Sequence, residues 1–228
     1  PILYVGGGII HSKANKELFD LATKFNIPVV TTLMGRGAFP DGHELCLEMP
    51  GMHGNYTATT SIQKSDLLVA IGVRFDDRVT ANPSFFAQNA KVIHADIDPA
   101  EIGKVREAQV PIVGDAKSVI LGLIEALQDE ELDTKNWINE LNSMKTEHPL
   151  SYNQDENGPL KVPFVLEELQ DLTEEGAIVV SGVGQHQMWI SQHWNFTEPN
   201  TWLNSGGLGT MGYSLPEALG AKTAYPEK

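Results

Sequence analysis

The chain has 228 residues, which is enough for one large domain or for a medium domain with part of another, since domains commonly hold ~100 to 200 residues. Apolar residues make up 41% and charged residues 20%, a composition that predicts a globular protein and excludes a disordered one. The net charge of −14 repels nucleic-acid backbones and anionic lipids, and no apolar run is long enough to cross a bilayer, so we expect neither nucleic acid nor membrane as a partner.

The first two thirds of the chain alternate short apolar runs with helical patterns. Strands are predicted at Ile2–Val5, 28–32, Leu67–Ile71, 92–95 and Val110–Val113. Apolar residues at spacings of three and four predict a helix that includes Leu18 and Phe25, and further helices at 118–127 and 134–145. Continuous apolar strands that alternate with helices imply an α/β fold, in which a parallel sheet carries helices on both faces.

The rest of the chain starts a second cycle of the same kind. Helices are predicted at 162–172, 184–193 and 215–224, and strands at 177–180 and 201–203. We therefore expect a middle domain at 1–147, a polar, proline-containing linker at 148–160, and a second α/β domain at 161–228. The second domain is expected to be incomplete, because a doubly wound domain commonly needs ~100 or more residues.

Glycines follow the first predicted strand, where ligands of open parallel sheets usually bind. The backbone N–H groups of Gly6-Gly7-Gly8 could approach a diphosphate, and a tight turn is the equally weighted alternative. The fingerprint G-x-G-x-x-G is not met, because His11 occupies the position of the third glycine. This disfavours an ordinary NAD-binding domain.

Charged residues follow the third and fourth strands. Arg74 and Arg78 flank Asp76-Asp77 directly after the third strand, which suits a phosphate or a flavin ring, although a surface ion-pair cluster would look the same. Asp96 follows the fourth strand, where an acidic residue often binds a ribose hydroxyl, and the nearby Asp98 suits a helix N-cap as well.

Histidines and the single cysteine give no sign of a metal site or a nucleophile. His53 between glycines has no ligand partner at metal spacing, so we interpret it as a packing or hydrogen-bonding residue. His186 and His193 are seven residues apart, which is not a zincin spacing. Cys46 lacks a basic sequence context and is expected to be inert, and one cysteine fits a reducing compartment. We expect a cytoplasmic protein.

Taken together, these motifs closely resemble the catalytic large subunit of acetolactate synthase, a family of thiamine-diphosphate enzymes. The matching segments occur in the order of that family and span almost the whole chain. They are Gly6–Gly8, Thr32–Gly35, Gly51–Gly54, Gly72–Val79, Asp96–Ile102, Gly114–Ala116, Gly184–Trp189 and Ser205–Gly212.

The resemblance implies which residues bind cofactors. FAD is expected to contact Gly7, Gly8, Leu33, Met34, Met52, His53, Gly54, Gly72, Arg74, Asp76, Arg78, Val79, Asp96, Ile97, Asp115 and Ala116. Thiamine diphosphate is expected to contact Gly184, Gln185, His186, Gly209 and Met211. No residue of this chain is expected to be catalytic or to bind the family's Mg²⁺, whose ligands would follow residue 228.

The resemblance also implies an activity and partners. The parent enzyme is expected to decarboxylate pyruvate on thiamine diphosphate and to join the two-carbon unit to pyruvate or 2-oxobutanoate, in valine, leucine and isoleucine biosynthesis. A homodimer or tetramer is expected, with a regulatory small subunit as a further partner. The family's N-terminal domain and its activating glutamate are absent from the 228 residues, so we expect the isolated chain to be inactive.

Two alternatives stay open at this point. One is another FAD-containing thiamine enzyme, such as a pyruvate oxidase or a different carboligase. The other is a nucleotide-binding module without catalytic activity. The reaction products would separate the enzymes, and flavin absorbance with and without thiamine diphosphate would identify the module.

Overall fold

A computed structural model describes residues 1–228. Its strands are β1 (Ile2–Val5), β2 (Val29–Thr31), β3 (Leu67–Ile71), β4 (Lys91–Asp96), β5 (Val110–Val113), β6 (Val179–Ser181) and β7 (Trp202–Asn204). Its α-helices are α1 (Gly7–His11), α2 (Asn15–Phe25), α3 (Tyr56–Lys64), α4 (Asp77–Thr80), α5 (Ala116–Ala126), α6 (Lys135–Glu147), α7 (Val162–Asp171), α8 (Gln185–His193) and α9 (Ser214–Ala224). Single 3-10 turns lie at Leu33–Gly35 and Pro83–Phe85.

The strands form two parallel sheets. The larger sheet has the order β2-β1-β3-β4-β5, and the smaller one pairs β6 with β7. Every strand pair is parallel, and strands β1, β3 and β4 each lie between two neighbours in the larger sheet. Because parallel neighbours need crossover connections, helices separate the strands along most of the chain. The predicted α/β fold class is confirmed.

The larger sheet is buried on both faces. Along β1, Leu3 and Val5 belong to one apolar cluster of 19 buried residues, whereas Ile2 and Tyr4 belong to another of 16. Helices α2 and α5 contribute side chains to the first cluster, and α3 and α6 contribute to the second. This alternation follows from the period of two along a strand, and it explains why the central strands are apolar throughout.

Three local features differ from the sequence-based expectations. The glycines after β1 are not a loop, because Gly7 and Gly8 open helix α1. Helix α3 was not predicted, since its hydroxyl-rich sequence favours helices only weakly; the side chain of Asn55 caps it by accepting from the N–H of Ala58 at 2.7 Å. Strand β5 is an exposed edge, with Val113 61% exposed.

A buried ion pair connects the first part of the chain with the second. The guanidinium of Arg36 donates to both carboxylate oxygens of Asp41 at 2.8 and 2.6 Å, and both side chains are 1% exposed. The backbone N–H of Phe196 donates to Asp41 Oδ2 at 2.7 Å, and the ring of Phe196 stacks on Trp202. Buried beside Asp41, the thiol of Cys46 has its pKa raised to about 12 by desolvation and by the charge of that carboxylate. We call the group Arg36, Asp41 and Phe196 the interdomain joint.

Residues 148–161 contain no helix or strand. The predicted boundaries at 147 and 160 fall at the two ends of this segment, and they stay a prediction. None of the helices combines the length and the apolar composition needed to cross a lipid bilayer.

Candidate cofactor site

A cleft of 630 Å³ opens where the five parallel strands of the larger sheet end. Segments that follow β1, β2, β3, β4 and β5 all contribute to its wall, as expected for a ligand site of an open parallel sheet. The volume lies within the ~300–1,000 Å³ typical of ligand pockets. The predicted residues found in the wall are Gly7, Gly8, Leu33, Met34, Gly72, Arg74, Asp76, Arg78, Val79, Asp96, Ile97, Asp115 and Ala116.

The glycines of the cleft allow two backbone segments to touch. A Cβ atom on Gly8 would lie 2.6 Å from the Cα atom of Gly72, and one on Gly6 would lie 2.3 Å from the carbonyl oxygen of Gly72. Gly72 also has a φ of +61°, which side chains rarely tolerate. Close packing of the two backbone segments therefore requires glycine at these positions. Because no side chains cover this part of the wall, backbone atoms border the cleft.

The two arginines lie at the exposed rim of the cleft. Arg74 Nη2 lies 3.8 Å from Asp76 Oδ2, and Asp76 Oδ1 accepts from the backbone N–H of Arg78 at 3.0 Å. The side chain of Arg74 is 61% exposed, so its guanidinium keeps most of its donors for another partner. The sequence left open whether this loop binds a phosphate or flavin or is a surface ion-pair cluster. The loop has features of both, because its side chains form an ion-pair cluster and it also borders the cleft.

Carboxylates line the part of the cleft that follows β4 and β5. Asp96 ends β4, and Asp115 follows β5 as the N-cap of α5, where its Oδ1 accepts from the N–H groups of Lys117 and Ser118 at 3.1 and 3.3 Å. Because β4 and β5 are neighbours, the two acids lie at one edge of the sheet. Such acceptors suit the hydroxyl and amino groups of a nucleotide better than its phosphates.

The predicted segment Met52-His53-Gly54 lies outside the cleft wall. It is nevertheless joined to the rim, since the N–H of Met52 donates to the carbonyl of Arg78 at 2.9 Å. The side chain of His53 is exposed and makes no hydrogen bond, so its interpretation as a packing or hydrogen-bonding residue was wrong. Only its carbonyl is used, which accepts from Gln192 Nε2 at 2.8 Å and so contacts the second part of the chain.

The residues predicted for thiamine diphosphate are not among those that line this cleft, and they lie after the carboxyl ends of β6 and β7. Gly184, with a φ of +148°, directly precedes α8, whose first residues are Gln185 and His186. Gly209 lies in the loop after β7, and a Cβ atom on it would be 3.8 Å from the side chain of Val183. Met211 in the same loop is 81% exposed. The two predicted segments therefore meet at one edge of the small sheet.

Ten residues of the cleft wall were not named individually as FAD contacts. Some adjoin predicted positions and could have been found by extending each strand-end motif. Gly206 belongs to the matching segment Ser205–Gly212 but was not assigned to FAD, because it comes from a distant part of the chain. Tyr4 gave no signal, because it reads as part of a core strand. The ten residues are Tyr4, His11, Ser12, Thr32, Val73, Ala95, Asp98, Glu101, Gly114 and Gly206.

Two family models match the chain, one over the part that forms the larger sheet and one over the part after the linker. The model of the thiamine pyrophosphate enzyme central domain matches residues 1–123, more than half of the chain. The chain belongs to the thiamine pyrophosphate enzymes. The model of the C-terminal TPP binding domain of these enzymes matches residues 182–228. Thus the cleft lies in a central domain, and the edge of the small sheet lies in part of a TPP binding domain.

Among the thiamine pyrophosphate enzymes, the chain is similar in sequence to several acetolactate synthases. The chain is 54% identical to the acetolactate synthase of Mycobacterium leprae over 231 residues, 52% identical to the acetolactate synthase large subunit of Corynebacterium glutamicum, and 45% identical to a chloroplastic acetolactate synthase of Nicotiana tabacum. Each alignment covers the whole chain. The chain spans 37% of the length of the two bacterial relatives and 34% of the tobacco protein. The expected resemblance to acetolactate synthase is confirmed.

Proposed function

We propose that this chain is the FAD-binding middle region and part of the thiamine-diphosphate-binding region of an acetolactate synthase large subunit. The whole protein would decarboxylate pyruvate and join the two-carbon unit to a second 2-oxo acid, in branched-chain amino acid biosynthesis. The observation that carries the proposal is the convergence of thirteen residues, expected for FAD from the motifs, on one 630 Å³ cleft.

The cleft fits a flavin dinucleotide in volume and in donor set. The backbone approach at Gly8 and Gly72 leaves space for an extended ligand against the sheet edge. Asp96 and Asp115 offer acceptors to ribose hydroxyls or the adenine amino group, while Arg74 offers unshared donors to a phosphate or to ring carbonyls. We therefore assign to Arg74 a charge-assisted contact with FAD.

The edge of the small sheet fits the diphosphate of the second cofactor. Helix α8 has nine residues and no side-chain cap, so its first N–H groups are free for an anion at Gly184, Gln185 and His186. Thiamine diphosphate, when bound, supplies the chemistry of decarboxylation. The residues of this chain would hold and orient it. A magnesium ion bound by residues beyond 228, a cytoplasmic location, a homodimer or tetramer and a regulatory small subunit belong to the same proposal.

The activity is tested on the whole protein that contains this chain. Purified protein is supplied with pyruvate, thiamine diphosphate, magnesium and FAD, and the products are identified. Acetolactate is the expected product. Acetyl phosphate with hydrogen peroxide would instead identify a pyruvate oxidase, and flavin binding without any turnover would identify a nucleotide-binding module.

The flavin site is tested separately on the 228-residue chain by fluorescence titration with FAD. Replacing Arg74 by Ala should weaken binding roughly ten- to hundredfold, since a hydrogen bond to a charged group contributes ~1.5–3 kcal/mol. The control is Lys16→Ala, which removes an exposed cation paired with Asp20 on α2 and should leave FAD affinity unchanged. Identical titration curves for the wild type and Arg74→Ala would refute the assignment.

A further inference from the structure

Tyr4 is the one aromatic residue of β1, and its position brings it to the cleft. Its pairing partners on the neighbouring strands are Val30 and Ala70, whose small side chains leave space for a large ring on that face. The ring meets Phe75 edge-on, with the two centroids 5.6 Å apart. Tyr4 is fully buried and is one of the residues that line the cleft, and Asp76, whose charge acts on its hydroxyl, lines the cleft as well.

The hydroxyl of Tyr4 has no hydrogen-bond partner within the protein. Six buried side-chain atoms share this condition, and Tyr4 is the only one of their residues that lines the cleft. A buried hydroxyl without a partner is costly to maintain, and native proteins usually satisfy such groups. Burial, followed by the negative charge of Asp76, raises the pKa of the phenol well above its ordinary value. The group therefore keeps its proton and can act as a donor.

We propose that the Tyr4 hydroxyl donates a hydrogen bond to an acceptor atom of the FAD bound in this cleft. The inference rests on the proposed flavin site and adds a specific contact from a buried residue to those expected at the exposed rim. Because no protein group satisfies the hydroxyl, the ligand itself removes the cost of burying it. The affinity for FAD would then depend on a residue of the buried strand β1.

The test uses Tyr4→Phe in the 228-residue chain, which removes only the hydroxyl. We expect FAD affinity to fall about threefold to tenfold, as for the loss of one neutral hydrogen bond. We also expect the melting temperature of the ligand-free variant to equal or exceed that of the wild type, because an unsatisfied buried group has been deleted. The matched control is Tyr152→Phe, which removes a hydroxyl bonded to Glu167 outside the cleft and should not change FAD affinity.

The outcomes separate this inference from the proposed function. If the wild-type chain binds FAD and Tyr4→Phe binds it equally well, the Tyr4 contact is refuted while the flavin site stands. If Tyr4→Phe lowers the melting temperature of the ligand-free chain and leaves affinity unchanged, the hydroxyl has a structural role and the inference is again refuted. If the wild-type chain does not bind FAD at all, the proposed flavin site and the ligand named for Tyr4 are both wrong.

Discussion

The two parts of the chain use the same strand-and-helix alternation but bury their residues differently. Both large apolar clusters, of 19 and 16 residues, consist entirely of residues before the linker. After the linker, the buried apolar residues are only Leu166, Phe196 and Trp202. A five-stranded sheet can be covered on two faces, whereas a two-stranded sheet offers too little surface to enclose a core.

Because the part of the chain after the linker buries few apolar residues, its stability depends on the interdomain joint. Phe196 and Trp202 stack on each other, and the backbone of Phe196 is held by Asp41 in both directions, donating at 2.7 Å and accepting at 3.1 Å. The second part is therefore stabilised by contact with the first as well as by its own packing. Three variants test this comparison.

The largest effect is expected for Arg36→Ala, which leaves the carboxylate of Asp41 buried without its partner. Breaking a buried ion pair from one side typically costs ~3–5 kcal/mol of the free energy of unfolding. Denaturant titration of the 228-residue chain measures this loss. The control is Lys64→Ala, which removes an exposed cation that pairs with Glu140 and should cost less than ~1 kcal/mol. Equal costs for the two variants would show that the joint does not stabilise the chain.

A smaller loss is expected for Gly8→Ala, which tests the packing of the first part alone. The new Cβ atom would lie 2.6 Å from the Cα atom of Gly72, so backbone must move, and overpacking of this kind costs ~1–3 kcal/mol. The control is Gly122→Ala in α5, where no atom lies within 4 Å and a gain of ~0.5–1 kcal/mol is expected. Denaturant titration and FAD titration are compared for both variants. A Gly8→Ala variant as stable as the wild type would contradict the close contact.

The smallest change in stability is expected for the double variant Leu215→Lys and Leu219→Lys in α9. These side chains are 71% and 64% exposed, so the free energy of unfolding should change by no more than ~0.5 kcal/mol. Exposed apolar helix faces favour association, and we expect the wild-type chain to self-associate with concentration and the variant to do so less. Sedimentation velocity measures this.

The control for the α9 variant is Leu172→Lys, which changes an 84% exposed leucine at the end of α7. It should leave self-association unchanged if α9 carries the contact. A wild-type chain that stays monomeric at high concentration would refute the prediction.

Most strand positions could be predicted because buried parallel strands are continuous apolar runs. The limits of β1, β3 and β5 agree with their apolar runs. Helix α3 could not be predicted in the same way, since its buried face includes Thr57 and Ser61, which carry no hydrophobic signal. It forms because Asn55 caps it and because Ala58 and Ile62 pack against the sheet.

The sequence by itself determined the α/β class, the position of each strand to within two residues, and the glycines and charged residues that follow the strands. It could do so because backbone propensity and apolar periodicity are local properties. Only the tertiary structure decided which strand ends share one cleft, that Gly8 lies against Gly72, and that Asp41 holds Phe196. Those contacts join segments up to 155 residues apart, and they depend on strand order and close packing, which no local pattern encodes. For the same reason the unsatisfied hydroxyl of Tyr4 is invisible in the sequence.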